Sequence, residues 1–338
     1  MQLAAGMRTS CAVTASGEVL CWGAQEIGGV AMEERSVTNV PTPVAGLDGI
    51  VALHMDLWNA CALRFDGSAW CWGENQGGQL GIPTISDYYV ATPTRVPSVV
   101  DLVDISVGSE ASCGRRADGK AVCWGGGVVI DPALRTHGGF SEAVAIPGLA
   151  DVVQVDVGRW HACALLGNGS VWCWGDNGHG QVSHPPTNPY FHYSPPAQVP
   201  GIHDAVSIAA YQYYTCALHA DRSVSCWGDV GNLGVPPGDD GVTRPDLPPV
   251  HALVPGLFVG ALLLEDGTLV VLGELVGVIE ADQPTGIARG LATATVGEHH
   301  ICGTTIEDGS VVCLGSNDFG QLGDGTFETR TMLTEVVW

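Results

Sequence analysis

Twelve cysteines stand in six pairs, and their spacing is the strongest chemical signal in this chain. Five pairs are separated by ten residues and one pair by eleven. No Cys-x-x-Cys spacing occurs, so zinc ribbons and thioredoxin-like redox sites lose their usual signature. Disulfide formation is therefore the chemistry that the spacing favours. The pairs are Cys11–Cys21, Cys61–Cys71, Cys113–Cys123, Cys163–Cys173, Cys216–Cys226 and Cys302–Cys313.

The residues between two paired cysteines predict a β-hairpin. In the second copy, Phe65-Asp66-Gly67 fits a three-residue loop with Gly67 in the left-handed position. Counting outward from this loop places Cys61 opposite Cys71, at a Cα separation of about 4.5–5.5 Å that suits a disulfide. Reduced, buried thiols in a cytosolic protein are the alternative. A further copy, which begins at Ala261, lacks both cysteines, and this joint loss favours pairing.

Shortly before each hairpin, three residues vary from copy to copy while the residues around them do not. We call these positions the variable triplets. They are rich in Trp, Tyr and Arg, the residue types that anchor protein interfaces. In chain order they are 7–9, 57–59, 109–111, 159–161, 212–214, 257–259 and 298–300. The candidate binding residues within them are Arg8, Trp58, Asn59, Glu110, Arg159, Trp160, His161, Gln212, Tyr213, Tyr214, Phe258, Glu298, His299 and His300.

Signals for catalysis or metal binding are weak. The chain has no Gly-x-Ser-x-Gly, no phosphate-binding loop and no His-Glu-x-x-His. An enzyme, a lyase or hydrolase that uses the triplet His and Glu residues for acid–base chemistry, stays open as an alternative. His161 and His300 also fit a structural role as hydrogen-bonding groups. Segment 176–196 contains three histidines, but their spacing matches no standard ligand set. We therefore predict no metal and no cofactor.

The hairpins recur at intervals of 41 to 53 residues and fill the chain. This interval is typical of propeller blades and exceeds that of leucine-rich or ankyrin repeats. Each copy contains four short segments rich in β-branched and aromatic residues. We predict one all-β domain over residues 1–338, a seven-bladed β-propeller with four-stranded blades. Equivalent loops then meet at one end of the axis, where the triplet aromatics either form a binding surface or plug the axis.

Residue alternation and the end of the chain give two finer predictions. In segment 170–174 Val171 and Cys173 share one face of the strand, whereas Trp172 and Trp174 share the other. We therefore expect Trp22, Trp72, Trp124, Trp174 and Trp227 to pack against the next blade. Segment 333–337 matches the piece that precedes every other copy. We expect this segment to complete the first blade and so to close the ring.

The charge of the chain restricts its partners. Thirteen Lys and Arg against thirty-six Asp and Glu give a net charge of −23, which disfavours nucleic acids and anionic membranes. No apolar run is long enough for a transmembrane helix. A protein ligand, a basic one in particular, is the favoured partner, and a monomer is the favoured state. The paired cysteines predict an oxidising location: secreted, periplasmic or on the cell surface.

Two segments carry a resemblance to a known family. They are Trp72-Gly-Glu-Asn-Gln-Gly-Gly-Gln-Leu-Gly81 and Leu314-Gly-Ser-Asn-Asp-Phe-Gly-Gln-Leu-Gly323. Both resemble the regulator of chromosome condensation repeat, whose family fold is a seven-bladed propeller, and the resemblance extends over essentially the whole chain. The cysteine pairs and acidic charge resemble the family's bacterial extracellular branch, in which a secreted member inhibits β-lactamases through the equivalent loops.

The resemblance implies a secreted or surface-exposed module that recognises a protein or another macromolecule through loops at one end of the propeller. A structural or adhesive surface protein is the other alternative that it leaves open.

Overall fold

The computed structural model describes residues 1–24, 37–83, 89–126, 129, 140–183, 193–230, 241–254, 256, 260–272 and 285–338. The described residues form twenty-eight strands, arranged as seven antiparallel sheets of four strands each. This arrangement confirms the predicted seven-bladed, all-β propeller. No helix within these ranges is long and apolar enough to cross a membrane.

Each blade consists of four strands that follow one another in the chain. Blade 1 contains β1 (Gln2–Ala5), β2 (Thr9–Val13), β3 (Val19–Ala24) and β4 (Val37–Pro43). Blade 2 contains β5 (Ile50–Met55), β6 (Asn59–Arg64), β7 (Ala69–Glu74) and β8 (Tyr89–Arg95). Blade 3 contains β9 (Leu102–Val107), β10 (Ala111–Arg116), β11 (Ala121–Gly125) and β12 (Phe140–Ala145). Blade 4 contains β13 (Val152–Val157), β14 (His161–Leu166), β15 (Val171–Asp176) and β16 (Tyr193–Gln198).

The remaining three blades repeat this plan. Blade 5 contains β17 (Ala205–Ala210), β18 (Tyr214–His219), β19 (Val224–Gly228) and β20 (Val242–Thr243). Blade 6 contains β21 (Val250–Val254), β22 (Gly260–Leu264), β23 (Leu269–Leu272) and β24 (Thr285–Ala288). Blade 7 contains β25 (Leu291–Val296), β26 (His300–Thr305), β27 (Val311–Gly315) and β28 (Arg330–Glu335).

The first strand of each blade lies next to the axis of the propeller. These strands contact one another in sequence around a closed ring, β1, β5, β9, β13, β17, β21, β25 and back to β1. Side chains tie neighbouring members together. Gln2 in blade 1 donates to the carbonyl oxygen of Leu53 in blade 2 (3.1 Å) and accepts from its N–H (3.1 Å). Gln154 makes the same two bonds with Ile208, from blade 4 to blade 5.

All six predicted disulfides are present, between directly opposed residues of the second and third strands. Their Cα atoms are 4.0 to 4.1 Å apart. Gly67 has a φ of 79°, the left-handed conformation that the three-residue loop requires. In blade 6 the equivalent residues Ala261 and Val271 face each other in the same register. The hairpin reading of the sequence is thereby confirmed.

The five tryptophans are buried as expected, but they face the opposite neighbour. Trp72 of blade 2 packs with Cys11 and Cys21 of blade 1, and Trp22 of blade 1 packs with the disulfide of blade 7. The expectation that each tryptophan contacts the next blade is therefore wrong: each contacts the preceding one. Alternation shows which side chains share a face. It does not show towards which neighbour that face turns.

The C-terminal strand does not complete the first blade. β28 pairs with β27 within blade 7, with Thr334 opposite Cys313. The first blade already has its four strands, because β1 pairs with β2. The expected ring closure by the C-terminal strand is therefore wrong. Side chains and loops join the ends instead: Trp338 packs edge-on against Trp22 with ring centroids 6.1 Å apart, and Gly325 donates to the carbonyl of Asn39 (2.9 Å).

Restoring the missing cysteine pair tests the register of blade 6. The double variant Ala261→Cys, Val271→Cys should form a disulfide, since the two residues occupy the same opposed position as the six natural pairs. The bond should raise the free energy of unfolding by about 2–3 kcal/mol at most, as expected for a short closed loop. Thiol alkylation with mass spectrometry, and the midpoint of chemical denaturation, measure both effects.

The control is the single variant Ala261→Cys, which should show a free thiol and no gain in stability. A double variant that keeps two alkylatable thiols under oxidising conditions would contradict the register.

Candidate functional site

The described triplets lie at one end of the propeller, which we call the loop end. Each follows the first strand of its blade, and hydrogen bonds join two neighbouring pairs of triplets. The N–H of Met7 donates to the carbonyl of Leu57 (3.4 Å), and the N–H of Arg159 donates to that of Gln212 (3.3 Å). The triplet at 257–259, with Phe258, lies outside the described residues.

Close contact between neighbouring loops restricts the residue just before each triplet. A Cβ atom on Gly158 would lie 2.2 Å from the carbonyl oxygen of Tyr211, and one on Gly108 would lie 2.2 Å from that of Gly158. Such distances are well inside van der Waals contact, so glycine is required at these two positions. Blades 2 and 5 carry Asp56 and Tyr211 at the equivalent position.

The last residue of several triplets is buried between blades. Asn59, His161, Tyr214 and His300 are all buried, and each sits two residues before the cysteine position of its strand. Alternation therefore turns them to the same side as the disulfide, towards the next blade. Asn59 donates to the carbonyl of Gly108 in blade 3 (3.2 Å), and Tyr214 shares a buried cluster with Leu262 of blade 6. These four side chains belong to the contact between blades and not to the outer surface.

The two histidines connect their blades to the next ones by buried hydrogen bonds. His161 Nε2 lies 2.8 Å from Thr215 Oγ1, and His300 Nε2 lies 2.8 Å from Ser10 Oγ. Burial lowers the pKa of both imidazoles to about 3, so both are neutral at physiological pH. The second bond joins blade 7 to blade 1, where the ring closes. The structural role that the sequence left open for His161 and His300 is the one this geometry supports.

The outer part of the loop end carries a cluster of one cation and three rings. The Arg159 guanidinium lies 4.5 Å from the ring centroid of Trp160 and donates to the hydroxyl of Tyr213 (2.8 Å). The rings of Trp160 and Tyr213 meet at 5.7 Å, and His179 packs against Tyr213 at 4.8 Å. We call these four residues the aromatic cluster. Its side chains hold one another in place, so little conformational freedom is left to lose on binding.

His179 was not expected at this end. It belongs to an Asn-x-x-x-Gln turn after the third strand, in which the side chain of Gln181 accepts from the N–H of His179 (2.8 Å) and that of Asn177 accepts from the N–H of Val182 (3.0 Å). The described part of segment 176–196 packs over the triplet of blade 5 through His179, whereas residues 184–192 lie outside the described residues.

The same turn in blade 7 holds Phe319 against Arg8, whose guanidinium lies 4.4 Å from the ring centroid. The loop end thus has a second cation–aromatic contact, between blades 7 and 1. Glu298 and His299 are near neighbours there, with Oε1 and Nε2 3.6 Å apart. The remaining predicted residues, Trp58, Glu110 and Gln212, are partly exposed in the triplets of blades 2, 3 and 5.

A cavity of about 230 Å³ lies on the axis below the triplets. The first strands and the loops that follow them line it, with Asp56, Asp156 and Gln212 among the polar groups. Trp58, Trp160 and Tyr213 are not part of this lining. The described triplet aromatics therefore do not line the axis, whereas the buried ring of Tyr211, the residue just before the triplet of blade 5, does.

One set of side chains has the connectivity of a catalytic triad. Asp204 Oδ1 lies 2.6 Å from His219 Nδ1, and His219 Nε2 lies 2.8 Å from Ser225 Oγ. This chain lies at the end of the hairpin in blade 5, away from the triplets. Ser225 is only 3% exposed, so its hydroxyl has no open path to a substrate carbonyl. The arrangement therefore satisfies buried polar groups. Among the described residues, no cluster of three or more His, Cys, Asp or Glu side chains is placed to hold a metal ion.

Comparison with known families identifies the repeat. Family models described as the regulator of chromosome condensation (RCC1) repeat match residues 66–114, 152–181 and 168–218. No curated protein sequence matches the chain.

Solved structures share the fold. A human protein, WBSCR16, superimposes with a TM-score of 0.78 at 18% identity, over 95% of both chains. Yeast RCC1 (Prp20), in a complex with Kap60, superimposes with a TM-score of 0.76 at 19% identity, over 95% of this chain and 83% of that one. Prp20p from Saccharomyces cerevisiae, in a structure reported with its binding to Gsp1p and histones, gives 0.59 at 19% identity, over 99% and 76%.

The glycine restriction gives a first test of the loop end. Gly158→Ala should lower the free energy of unfolding by more than about 2 kcal/mol, since its methyl group would displace the loop of blade 5. Gly178→Ala, in the neighbouring turn, is the control, because a Cβ atom there meets nothing closer than 3.5 Å. Equal stabilities of the two variants, measured by chemical denaturation, would contradict the close packing of the triplet loops.

The buried histidines predict sensitivity to acid. An unfolded chain binds a proton at each histidine below about pH 6.5, whereas His161 and His300 remain neutral in the fold down to about pH 3. Each therefore removes about 1.4 kcal/mol of stability per pH unit as the pH falls between these values. The free energy of unfolding of His161→Gln, measured with urea at pH 7, 6 and 5, should fall less steeply with pH, by about 1.4 kcal/mol per pH unit, which corresponds to one proton. Thr215→Val, which removes the hydrogen-bond partner alone, should keep the slope of the unmodified protein. An unchanged slope in His161→Gln would contradict a buried neutral imidazole.

Proposed function

We propose that this protein, which belongs to the RCC1 repeat family, binds a protein partner through the loop end of its propeller. The observation that carries the proposal is the aromatic cluster of Arg159, Trp160, Tyr213 and His179. Trp, Tyr and Arg dominate the binding energy of protein interfaces, above all where side chains are already ordered. Here an arginine is held over two rings at a partly exposed surface.

The structure of the loop end supports binding over a broad surface. A second cation–aromatic contact, Arg8 with Phe319, lies between blades 7 and 1, whereas the cluster lies between blades 4 and 5. Both sides of the axis therefore present an anchor of the same chemical kind. Glu110, Gln212, Glu298 and His299 supply polar groups between them, as in the rim of a typical interface.

Relatives with this fold bind proteins. Yeast Prp20 is known in a complex with Kap60 and for its binding to Gsp1p and histones. These partners are those of Prp20, and a sequence identity below 25% shows only that the two proteins share a fold. The net charge of −23 makes a basic partner the favoured one for this chain.

The location that we propose is extracellular, periplasmic or on the cell surface. Six disulfides and the absence of free cysteines among the described residues are consistent with an oxidising compartment. A bacterial source is part of the same proposal and comes from the resemblance of the cysteine pairs and the acidic charge to the extracellular branch of the family.

Substitution within the aromatic cluster tests the proposal. Trp160→Ala and Tyr213→Ala should each weaken binding to a partner isolated from the native environment by at least tenfold, since both remove a preordered anchor. Phe65→Ala is the matched control: its ring is 76% exposed on a hairpin turn at the opposite end. Calorimetry or surface plasmon resonance measures the affinities. Loss of binding in Phe65→Ala with no change in the two cluster variants would place the interface elsewhere.

A further inference from the structure

The axial cavity contains buried polar atoms that no described residue pairs. Asp56 Oδ2 and Gln212 Nε2 lie in its wall and have no hydrogen-bond partner among the described residues. Burial without a partner costs free energy, about 1–3 kcal/mol for a neutral group and more for a charge. Asp56 and Gln212 belong to blades 2 and 5, three positions apart in a ring of seven, so they face each other across the axis.

The other acid of the cavity, Asp156, has partners at both carboxylate oxygens, which distinguishes it from Asp56. Asp156 accepts from Ser106 Oγ (2.5 Å) and from the N–H groups of Val157 (3.0 Å) and Ala210 (2.9 Å). Among the described residues, no Lys, Arg or His lies within ion-pair distance of Asp56. Asp56 also replaces the glycine that most other blades have at this position. The Asp56 carboxylate accepts hydrogen bonds from Ser109 and from the N–H of Leu57, and only its Oδ2 atom has no partner among the described residues.

The rest of the lining defines what could enter. Leu53, Met55, Val107 and Val157 provide apolar walls, and the cavity of about 230 Å³ has room for one long side chain. A lysine side chain has an apolar stem and a terminal cation, so it matches apolar walls that lead to a carboxylate. The side-chain N–H of Gln212 would then face the backbone carbonyl of the entering lysine.

We propose that the axial cavity receives the side chain of a lysine from the partner protein, with its ammonium group on Asp56 and a backbone carbonyl of the partner on Gln212. This inference rests on the proposed function, because the triplet residues Ser109, Arg159 and Gln212 line the cavity. The guanidinium of Arg159 is held on the rings of Trp160 and Tyr213 and by the Tyr213 hydroxyl. It leaves Asp56 free for another cation.

The acidity of Asp56 gives the binding a pH dependence. Burial raises the pKa of Asp56 to about 6, although a hydrogen bond from Ser109 and the charge of Arg159 act in the opposite direction and Glu74 adds to the rise. His54, Asp156 and Tyr211 are the other titratable groups that line the cavity with Asp56 and Arg159. An ammonium group requires the ionised carboxylate, so lysine binding should weaken as the pH falls through 6.

The test uses a short peptide, so that it does not depend on the partner or on the aromatic cluster. Acetyl-Gly-Lys-Gly-amide, titrated at pH 7.5 and followed by NMR, should bind with saturation, at least fivefold more tightly than the same peptide with norleucine. Asp56→Asn should weaken its binding at least fivefold, and Gln212→Ala at least twofold. Asp318→Asn, which removes an exposed carboxylate at the same end, should have no effect. At pH 5 the affinity should fall at least threefold.

Equal affinity for the lysine and norleucine peptides, no saturable binding, or full affinity in Asp56→Asn would overturn the inference. n-Butylammonium, which lacks a carbonyl for Gln212, should bind at least threefold more weakly than the lysine peptide. If it binds as tightly, the site is one for free organic cations, and the assignment to a residue of a partner is wrong. Because these measurements leave Trp160 and Tyr213 untouched, failure here and failure of the proposed function are separate results.

Discussion

The propeller depends on one contact that recurs at five of its seven blade junctions: the disulfide face of one hairpin packs against the tryptophan of the next blade. Trp72 on Cys11–Cys21, Trp124 on Cys61–Cys71 and Trp174 on Cys113–Cys123 are three instances. Each blade can bury its two faces only between neighbours, so none is stable alone. The contact between Trp22 and the disulfide of blade 7 closes the ring. This closure brings residues that are hundreds of positions apart in the chain, such as Ser10 and His300, into direct contact.

Much of this follows from the sequence, because pairing and alternation are local properties. The spacing of Cys61 and Cys71 around Phe65-Asp66-Gly67 predicts both the hairpin and its disulfide. Alternation also places the buried triplet residues: His161 lies two positions before Cys163 and therefore on the same face as the disulfide, between two blades. That signal could have assigned His161 and His300 to the contact between blades before any coordinates were known.

The sequence does not predict the properties that depend on the direction in which successive blades follow one another around the ring. The direction in which the tryptophans face, and the pairing of β28 within its own blade, follow from how seven twisted sheets assemble. A strand that matches the repeat can complete either the first or the last blade. The contact between His179 and Tyr213 could not be predicted from the sequence either, because it joins a turn of blade 4 to a triplet of blade 5.

The loop end consists of a rigid frame of closely packed loops and of side chains that differ from blade to blade. Gly108 and Gly158 allow the loops to approach closely, and His161 and His300 lock the blades below them. Arg159, Trp160 and Tyr213 vary from blade to blade within this frame and form a partly exposed contact between blades 4 and 5 above it. Hydrogen–deuterium exchange of the protein, with and without an isolated partner, tests this division most directly. We predict that the partner protects the amides of residues 157–161 and 211–214 and leaves the hairpin turns at 64–68 and 167–170 unchanged. Protection of those turns, with no change in the triplets, would contradict the account.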